Sequence, residues 1–494
     1  MFSSSSLIGV CGAGAMGAGI AQVAAAAGHV VFVLDRDAAA LDRGRAAVAK
    51  GAAALLKRGK IDATEADALH SRITWTTSSK DFASVDLVVE AIVEKSDVKT
   101  ALFQDLEEIV GEGAVLATNT SSLSVTRLAA DLKRPQRFLG LHFFNPAPVM
   151  KLVEVVSGAA TDPEIAAAAF ALMESWGKIP VHARDVPGFI VNRVARPFYG
   201  EGWRALDEGA ADAATLDYLY RALAGFRMGP LELGDLIGHD INFEAAQSVF
   251  HAYFGRTRFA PSLAQGALVA AGRLGRKTGR GVYAHGADAA MDEPKFLSVS
   301  GSSSLSVPIG SEAPELKALL SAAGVSAGED AALGDRLDID GVGVAFSNGH
   351  TAAARAAAAG RPFAVIDWMR DPAAAEVIAF AASDEKAREA ALALAALVRK
   401  KAVEVSDRPG LVVFRTLAQL ANCAADAVRD KVADAEAIDK AMRYGVNYPF
   451  GPMGWAETFG ASRLAAALDR IADATGESMY RPNEVLRRLA TNDL

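Results

Sequence analysis

A glycine-rich loop near the start of the chain constrains the fold more than any other feature. Residues 7–10 form a short apolar run, the loop follows at once, and residues 18–27 are small and helix-forming. This order predicts a buried strand, a tight turn and a helix, which together begin a dinucleotide-binding unit. The loop residues are Gly12, Ala13, Gly14, Ala15, Met16 and Gly17.

Each glycine of this loop has a physical role. Gly12 allows the tight turn, Gly14 lets the backbone approach a pyrophosphate, and Gly17 lets the helix pack closely on the strand. A second apolar run, residues 30–34, ends at Asp35. Its carboxylate suits the hydroxyl groups of an adenosine ribose and repels a 2′-phosphate, so NAD is the predicted cofactor. The neighbouring Arg36 is the one feature that favours NADP.

Further apolar runs alternate with helical stretches up to residue 143. They cover residues 87–91, 115–118 and 138–143, and residues 95–110 form one of the helical stretches. This alternation predicts a doubly wound α/β sheet, whose ligands bind beyond the carboxyl ends of the strands. Polar residues cluster at those ends: Glu90, Glu94, Asn119, Ser121, Ser122 and His142.

His142 and Glu154 are the candidate catalytic pair. A histidine titrates near neutral pH and can accept the proton of an alcohol. A carboxylate bonded to its second ring nitrogen fixes the tautomer and stabilises the imidazolium. The alternative is a hydrogen-bonded core histidine at the end of an apolar strand. Ser121 or Ser122 could likewise serve only as a helix cap.

Composition excludes several classes of function. The chain has 494 residues, 51% of them hydrophobic, which predicts roughly three domains. A net charge of −8 argues against a nucleic-acid or membrane-surface partner. Cys11 and Cys423 are too few for a disulfide framework or a metal cluster and fit a reducing cytoplasm. No signal peptide or membrane span is expected.

The chain contains an internal duplication, in which matching positions differ in number by a constant offset of 222 (407 − 185). Continued without a gap, the offset places Glu154 on Glu376 and His142 on Ala364, and it places Asn192 on Phe414. The repeat predicts a duplicated helical domain of which only the first copy is catalytic. The matched residues include Asp185 with Asp407, Pro187 with Pro409, Arg193 with Arg415, Asp217 with Asp439 and Gly229 with Gly451.

These observations predict four segments. Residues 1–184 form the NAD-binding domain, 185–283 the first helical copy, 284–405 a linker and degenerate connecting region, and 406–494 the second helical copy. Residues 284–314 are rich in Gly, Ser and Asp and are typical of a linker. The segment near residues 365–368 is either a shrunken nucleotide domain or a connecting subdomain. We expect the second copy to replace a partner's dimer contact within the chain, and a homo-oligomer is compatible with this arrangement.

Five separated motifs resemble those of the L-3-hydroxyacyl-CoA dehydrogenases over residues 7–283. The duplicated helical domain is similar to that of the longer bacterial members, including those that act on 3-hydroxyadipyl-CoA in phenylacetate degradation. The motifs are the glycine loop, the Val-Glu-Ala-Ile-x-Glu run at 89–94, Asn-Thr-Ser-Ser at 119–122, His-Phe-Phe-Asn-Pro at 142–146 and Pro-Gly-Phe-Ile-Val-Asn-Arg at 187–193.

The resemblance implies roles for individual residues. His142 would be the general acid/base, Glu154 its orienting carboxylate, Asn192 the group that positions the reacting oxygen and Ser121 a substrate contact. Lys57 or Arg58 would contact CoA, although an exposed cation on a helix is more often only solvated. The cofactor contacts implied, beyond the loop and Asp35, are Glu94, Lys99, Asn119 and Lys277.

The predicted activity is oxidation of an (S)-3-hydroxyacyl-CoA with NAD and without a metal. The predicted substrate is 3-hydroxyadipyl-CoA. Alternatives are 3-hydroxybutyryl-CoA, a free hydroxy acid, and a non-catalytic NAD-binding scaffold. A dicarboxylic substrate would need a cationic partner, for which Arg196, Arg227 and Arg258 are unranked candidates.

Overall fold

The computed structural model describes residues 2–286, 293–299 and 307–491. The chain forms two compact units. Unit 1 comprises Met1–Arg193 and Asp430–Val446, and unit 2 comprises Val194–Arg429 and Asn447–Leu494. Each unit therefore contains residues from both halves of the duplication. In the described part of the chain, no helix is long and apolar enough to cross a membrane.

The amino-terminal part of unit 1 forms an eight-stranded sheet flanked by helices. Its strand order is β3-β2-β1-β4-β5-β6-β7-β8, and all neighbours are parallel except β6 and β7. This confirms the predicted doubly wound domain. The strands are β1 Ile8–Cys11, β2 Val31–Leu34, β3 Ile73–Thr76, β4 Leu87–Glu90, β5 Val115–Thr118, β6 Phe138–Phe143, β7 Leu152–Ser157 and β8 Ile179–Arg184. The helices are α1 Ala15–Ala26, α2 Ala38–Lys57, α3 Ala63–Ser71, α4 Ser96–Ile109, α5 Val125–Ala129, α6 Pro163–Ser175 and α7 Val191–Val194.

The core of this domain follows from the residue pattern of its strands. Both faces of β1, β4 and β5 are buried, as the continuous apolar runs predict for parallel strands covered on both sides. Val10, Val89 and Ala117 join one apolar cluster with residues of α1. The packed sheet holds the carboxyl ends of its strands in place.

The first helical copy follows as α8 Arg196–Asp207, α9 Ala213–Ala224, α10 Pro230–Ile237, α11 His239–Ala252 and α12 Leu263–Ala270. Residues 287–292 and 300–306, on which part of the predicted linker falls, lie outside the described residues.

A second, seven-stranded sheet occupies the region predicted to connect the copies. Its order is β10-β9-β11-β12-β13-β14-β15. The pair β13 and β14 is antiparallel and the pair β14 and β15 is parallel, which repeats the pattern of β6, β7 and β8. The strands are β9 Pro308–Ile309, β10 Gly328–Glu329, β11 Leu337–Ile339, β12 Val342–Phe346, β13 Phe363–Ile366, β14 Val377–Ala382 and β15 Lys401–Glu404. The helices are α13 Pro314–Ala322, α14 Ala352–Ala359 and α15 Glu385–Leu397.

The second helical copy reproduces the backbone of the first. Gly188 and Gly410 have φ angles of 76° and 77°, and Phe189 and Leu411 have φ angles of 45° and 52°. Non-glycine residues rarely adopt this left-handed region, so its recurrence at the same offset confirms the duplication. The helices are α16 Val413–Arg429, α17 Ala435–Gly445, α18 Pro452–Phe459, α19 Ala461–Thr475 and α20 Glu484–Thr491.

The strands of the second copy depart from the gapless offset. Glu154 lies beside Val181, and the offset relates Val181 to Val403 (181 + 222). Val403 lies beside Ala379. The counterpart of Glu154 is therefore Ala379, and its predicted match with Glu376 is wrong.

The same shift applies to His142. The backbone N–H of Asp367 donates to the carbonyl of Ala379, so Asp367 occupies the position of His142 and the predicted match with Ala364 is wrong. The reason is a shorter turn. Five residues, 158–162, separate β7 from α6, whereas two residues, 383–384, separate β14 from α15.

Candidate active site

His142 and Glu154 face each other on neighbouring strands. They are paired positions of the antiparallel strands β6 and β7, so their side chains lie on the same face of the sheet. The distance between His142 Nδ1 and Glu154 Oε2 is 2.5 Å, and both side chains are buried. The two strands thus bring together residues that are twelve positions apart in the sequence.

The carboxylate of Glu154 is also bonded to the backbone. Its Oε1 accepts hydrogen bonds from the N–H groups of Ile190 and Val191, each 3.0 Å long. The left-handed turn at Gly188 and Phe189 leads directly into these two residues. Three hydrogen bonds therefore hold Glu154 in one orientation.

This orientation sets the tautomer of His142. A carboxylate can only accept, so Nδ1 of the imidazole carries the hydrogen and Nε2 is left with its lone pair. Among the described residues, none forms a hydrogen bond with Nε2. His142 can therefore accept a proton from a ligand.

Asn192 and Ser121 lie beside each other in unit 1. Asn192 Nδ2 is 3.4 Å from the carbonyl oxygen of Ser121. Asn119 Oδ1 accepts the backbone N–H of Phe143, which joins the loop after β5 to the strand that carries His142. The structure thus brings four of the predicted polar residues together at one end of the sheet: Asn119, Ser121, His142 and Asn192.

Glu94 and Lys99 form a charged network with Glu90, for which the sequence predicted no specific role. Lys99 Nζ lies 2.5 Å from Glu90 and 3.1 Å from Glu94, and Lys99 is buried. Glu94 Oε1 accepts from Thr120 Oγ1 and from the N–H of Ser121. Lys99 thus has two carboxylate partners. One of them, Glu94, also bonds to the loop that contains Thr120 and Ser121.

The pKa of Glu94 reflects these contacts. Burial raises the pKa of this carboxyl group, but the positive charge of Lys99 and the hydrogen bonds from Thr120 and Ser121 outweigh burial, so the net pKa is lowered. Glu94 is therefore a carboxylate at neutral pH. Glu90 and Glu94, two glutamates four positions apart, were the sequence signal from which this network could have been predicted.

The glycine loop has the shape that a dinucleotide requires. A Cβ atom at Gly17 would lie 1.8 Å from the carbonyl oxygen of Gly12, so no larger residue fits there. A Cβ atom at Gly14 would meet nothing within 4 Å, which leaves that side of the loop open. No side chain of the described residues caps the start of α1 at Ala15, so its N–H groups are available to phosphates.

Asp35 connects the loop to the end of β2. Its Oδ2 accepts the N–H of Ala13 at 2.8 Å, and the side chain is only partly buried. Each carboxylate oxygen has a second lone pair, which suits a ribose hydroxyl. The loop, the helix start and Asp35 therefore fit NAD.

Three other predicted contacts are Lys57, Arg58 and Lys277. Lys57 ends α2, Arg58 follows it, and both are exposed. Lys277 lies in unit 2, where its Nζ pairs with Asp240 at 2.6 Å. Their roles in binding CoA or the cofactor stay predictions.

The second copy lacks this chemistry. Asp367, at the position of His142, accepts the backbone N–H groups of Val412, Val413 and Phe414 at 2.7–3.0 Å. It thus caps α16, which corresponds in the second copy to α7, the helix that Glu154 caps in the first copy. Phe414 replaces Asn192, and an aspartate replaces the histidine, which supports catalysis by the first copy alone.

A dinucleotide-type sheet and a histidine held by a carboxylate define an NAD-dependent dehydrogenase. The comparisons give the family. The NAD-binding domain of 3-hydroxyacyl-CoA dehydrogenase matches residues 7–186, and its C-terminal domain matches residues 188–285 and again 410–494. The chain belongs to the 3-hydroxyacyl-CoA dehydrogenase family.

The sheet between the two helical copies has a counterpart as well. Residues 344–409 match a family described as the 3-hydroxybutyryl-CoA dehydrogenase reduced Rossmann-fold domain. Of the two alternatives left open by the sequence, the match supports a shrunken nucleotide domain. The strand pattern of β13, β14 and β15 agrees with it.

Three similar proteins span the chain to different extents. A 3-hydroxyadipyl-CoA dehydrogenase of Escherichia coli is 42% identical over 98% of this chain and 97% of its own. A crystal structure of a 3-hydroxybutyryl-CoA dehydrogenase from E. coli K12 covers 99% of both chains at 41% identity and a TM-score of 0.91. The (S)-3-hydroxybutyryl-CoA dehydrogenase of Ralstonia eutropha covers 57% of this chain and 99% of its own, at 39% identity and a TM-score of 0.55.

Proposed function

We propose that the protein oxidises the 3-hydroxyl group of an (S)-3-hydroxyacyl-CoA to a 3-oxo group with NAD. The observation that carries this proposal is the imidazole of His142, whose Nδ1 is bound by the buried Glu154 and whose Nε2 is free of described partners. Family membership supports the acyl-CoA substrate.

In this mechanism, His142 Nε2 accepts the proton of the 3-hydroxyl group as the C3–H bond breaks. The glycine loop and Asp35 would hold NAD, which would supply the acceptor for the hydride of C3. The negative charge of Glu154 balances the imidazolium that forms. In the reverse direction the imidazolium returns the proton to the oxygen. Asn192 and Ser121 hold the reacting oxygen so that both transfers start from one geometry.

For the acyl group, we propose the six-carbon dicarboxylic chain of 3-hydroxyadipyl-CoA, in phenylacetate catabolism. The support is the relative with that name, which matches almost the whole chain. A short-chain substrate is the second candidate, because a solved structure of equal coverage is named for 3-hydroxybutyryl-CoA. A non-catalytic scaffold is disfavoured because such a protein has no use for His142, Glu154 and Asn192.

We also propose a reducing, cytoplasmic compartment. Cys11 and Cys423 are the two cysteines of the chain, and both are buried. Small secreted domains are often stabilised by a framework of several disulfides, for which two cysteines are too few. This sparse use of cysteine is the support for the compartment.

The test compares kcat/KM for (S)-3-hydroxyadipyl-CoA and (S)-3-hydroxybutyryl-CoA, with NAD and with NADP. The proposal expects turnover with NAD and a higher kcat/KM for the adipyl substrate. A higher value for the butyryl substrate would keep the reaction and change the acyl chain. Absence of turnover with either substrate would overturn the proposal.

A further inference from the structure

A groove lies in unit 1 between the outer strand β8 and the helices α6 and α17, and its volume is about 840 Å³. Volumes of this order are typical of sites that enclose a ligand. None of the candidate catalytic residues is among the described residues that line the groove. The proposed reaction therefore does not account for this groove.

The backbone of β8 offers hydrogen-bonding groups to the groove, because β8 is the last strand of its sheet. The N–H of Ile179 donates to Lys151, directly before β7, whereas the N–H of Arg184 donates to the second helical copy, on the open side. Backbone groups alternate between the two sides of a strand, so the even-numbered residues face the groove. They include Pro180, whose carbonyl oxygen is an acceptor, and His182, which has both a donor and an acceptor.

The corresponding groove of unit 2 is filled by the chain itself. Residues 293–297 pass along the outer strand β15, where the N–H of Leu297 donates to the carbonyl oxygen of Ala402 at 2.9 Å in an antiparallel bridge. Ala402 is the counterpart of Pro180 (180 + 222). In one of the two copies, an extended segment thus adds to the edge of the sheet.

Side chains of α9 and the residue before it bind this segment. Lys295 Nζ pairs with Asp212 at 3.0 Å, and the N–H of Lys295 donates to Thr215 Oγ1 at 3.1 Å. The ring of Phe296 packs edge-on against Tyr218, with 5.3 Å between the ring centres. A cation, an aromatic ring and an aliphatic residue, in that order, are therefore what this kind of groove accepts.

The offset relates the three contact residues of unit 2 to Asp434, Ala437 and Lys440, all of which line the groove of unit 1. Asp434 caps α17 as Asp212 caps α9, through one carboxylate oxygen. Among the described residues, no cation lies within 4.0 Å of the Asp434 carboxylate. The charge that pairs with Lys295 in unit 2 is thus present in unit 1 without a described partner.

The ring contacts of the groove in unit 1 also suit an apolar segment. Phe170 and His182 stack with their ring centres 4.6 Å apart, and both line the groove. Burial lowers the pKa of His182 more than the charge of Asp434 raises it, so the imidazole is neutral at pH 7. Lys440 replaces Tyr218, and its ammonium group can bind the face of an aromatic ring.

We propose that this groove binds an extended segment of a partner protein, which adds antiparallel to β8. The segment carries a lysine or arginine, then an aromatic residue, then an aliphatic residue, the order found at residues 295–297. Its cation pairs with Asp434, and its aliphatic residue donates its N–H to Pro180. Residues 293–297 of the chain already occupy the groove of unit 2, so the occupant in unit 1 is a different segment.

The test uses the full chain and a fluorescein-labelled peptide, Glu-Pro-Lys-Phe-Leu-Ser-Val, which has the sequence of residues 293–299. Fluorescence anisotropy should show saturable binding. Asp434→Asn keeps a helix-capping oxygen but removes the charge, so the Kd should rise about two- to fivefold. A peptide with Glu in place of Lys should bind the wild type more weakly, and this difference should shrink in Asp434→Asn. Ala167→Trp, which places a large ring in the groove from α6, should raise the Kd at least about tenfold.

The matched control is Asp212→Asn, the same change at the counterpart of Asp434 in unit 2. We expect this variant to keep the wild-type Kd and a stoichiometry of one peptide per chain. All three variants should keep the wild-type Tm to within a few degrees, which shows that they fold. A Kd that changes in Asp212→Asn but not in Asp434→Asn would show that the peptide exchanges with residues 293–297, and would overturn the proposal.

Three further results would also overturn it. The first is the absence of saturable binding, or an unchanged Kd in Ala167→Trp. The second is displacement of the peptide by free CoA, which would make the groove a ligand site. The third is self-association of the protein that the peptide reverses in sedimentation, which would make a second copy of this chain the occupant.

Discussion

Arg193, which is fully buried, forms an ion pair with Asp430 of the second copy. The positions related to them by the offset are Arg415 (193 + 222) and Glu208 (430 − 222), and they also form an ion pair, at 3.2 Å. The first pair lies in unit 1 and the second in unit 2. Two identical subunits of a symmetric dimer exchange the same contact twice in this way. The exchange supports the hypothesis that the second copy takes the place of a partner subunit.

Helix α17 of the second copy belongs to unit 1 and packs on β7, which contains Glu154, and on β8. A Cβ atom at Gly445 would lie 2.5 Å from Leu152 and 3.1 Å from Val191, whose N–H bonds to Glu154. Gly445→Val should therefore destabilise the protein by roughly 1–3 kcal/mol and lower kcat about tenfold. Tm and kcat for the acyl-CoA substrate are the measurements.

The control for this substitution is Gly113→Val, because a Cβ atom at Gly113 would meet nothing within 4 Å. We expect Gly113→Val to keep kcat and to change Tm little. Equal kcat values for Gly445→Val and the wild type would show that α17 has no influence on the catalytic pair.

His142→Ala should lower kcat by about 10²- to 10⁴-fold, because no other base among the described residues is hydrogen-bonded to Glu154. The Kd for NAD should change less than about twofold, since the glycine loop is unaltered. Steady-state kinetics and titration with NAD measure the two quantities. His182→Ala, which removes an exposed histidine of β8 in the same unit, is the control and should keep kcat. A kcat for His142→Ala within tenfold of the wild type would refute the assigned role.

Asp35→Ser should weaken the preference for NAD over NADP. The variant removes the negative charge that repels a 2′-phosphate, so the ratio of kcat/KM with NAD to that with NADP should fall at least about tenfold. The kcat/KM with NAD should fall as well, because the N–H of Ala13 loses its acceptor. Asp37→Ser, which changes an exposed aspartate two residues later, should keep the ratio. An equal change in both variants would contradict a specific role for Asp35.

Asp367 should make stability depend on pH. Burial raises the pKa of Asp367 to about 6, against a partial opposing effect of its backbone hydrogen bonds, whereas the usual value is 3.8. The folded protein thus holds this proton more tightly than the unfolded chain does. The contribution of Asp367 to stability is full below about pH 4 and is lost as pH rises to about 6.

The measurement compares wild type with Asp367→Asn, which does not titrate. The Tm advantage of the wild type should be larger at pH 5 than at pH 7.5. In Asp335→Asn, the Tm advantage of the wild type should not fall over this range, because burial, which raises the pKa of Asp335, is outweighed by the hydrogen bond and charge of Arg355, and the net pKa is lowered. An advantage over Asp367→Asn that grows with pH would show that the raised pKa is wrong.

Much of the candidate site could be predicted because its determinants are local or periodic. The glycine loop requires its residues at fixed spacing, since a Cβ atom at Gly17 cannot coexist with the carbonyl of Gly12. His142 and Glu154 lie on two strands joined by a short connection, so few pairings were available to them. The left-handed residues at 188 and 410 repeat because the same turn recurs in both copies.

Other features depended on contacts between residues far apart in the chain. The shift that relates Asp367 to His142 arises from a three-residue deletion in a turn. This deletion cannot be read from the sequence, because the apolar strands on either side have similar compositions in both registers. The burial of Arg196 next to neutral groups depends on Tyr448, which belongs to the other copy of the repeat. Local sequence therefore set the cofactor loop and the candidate catalytic pair, because backbone sterics and strand pairing act over short distances. Long-range packing settled which helix supports that pair, because packing energies depend on residues that the sequence does not place side by side.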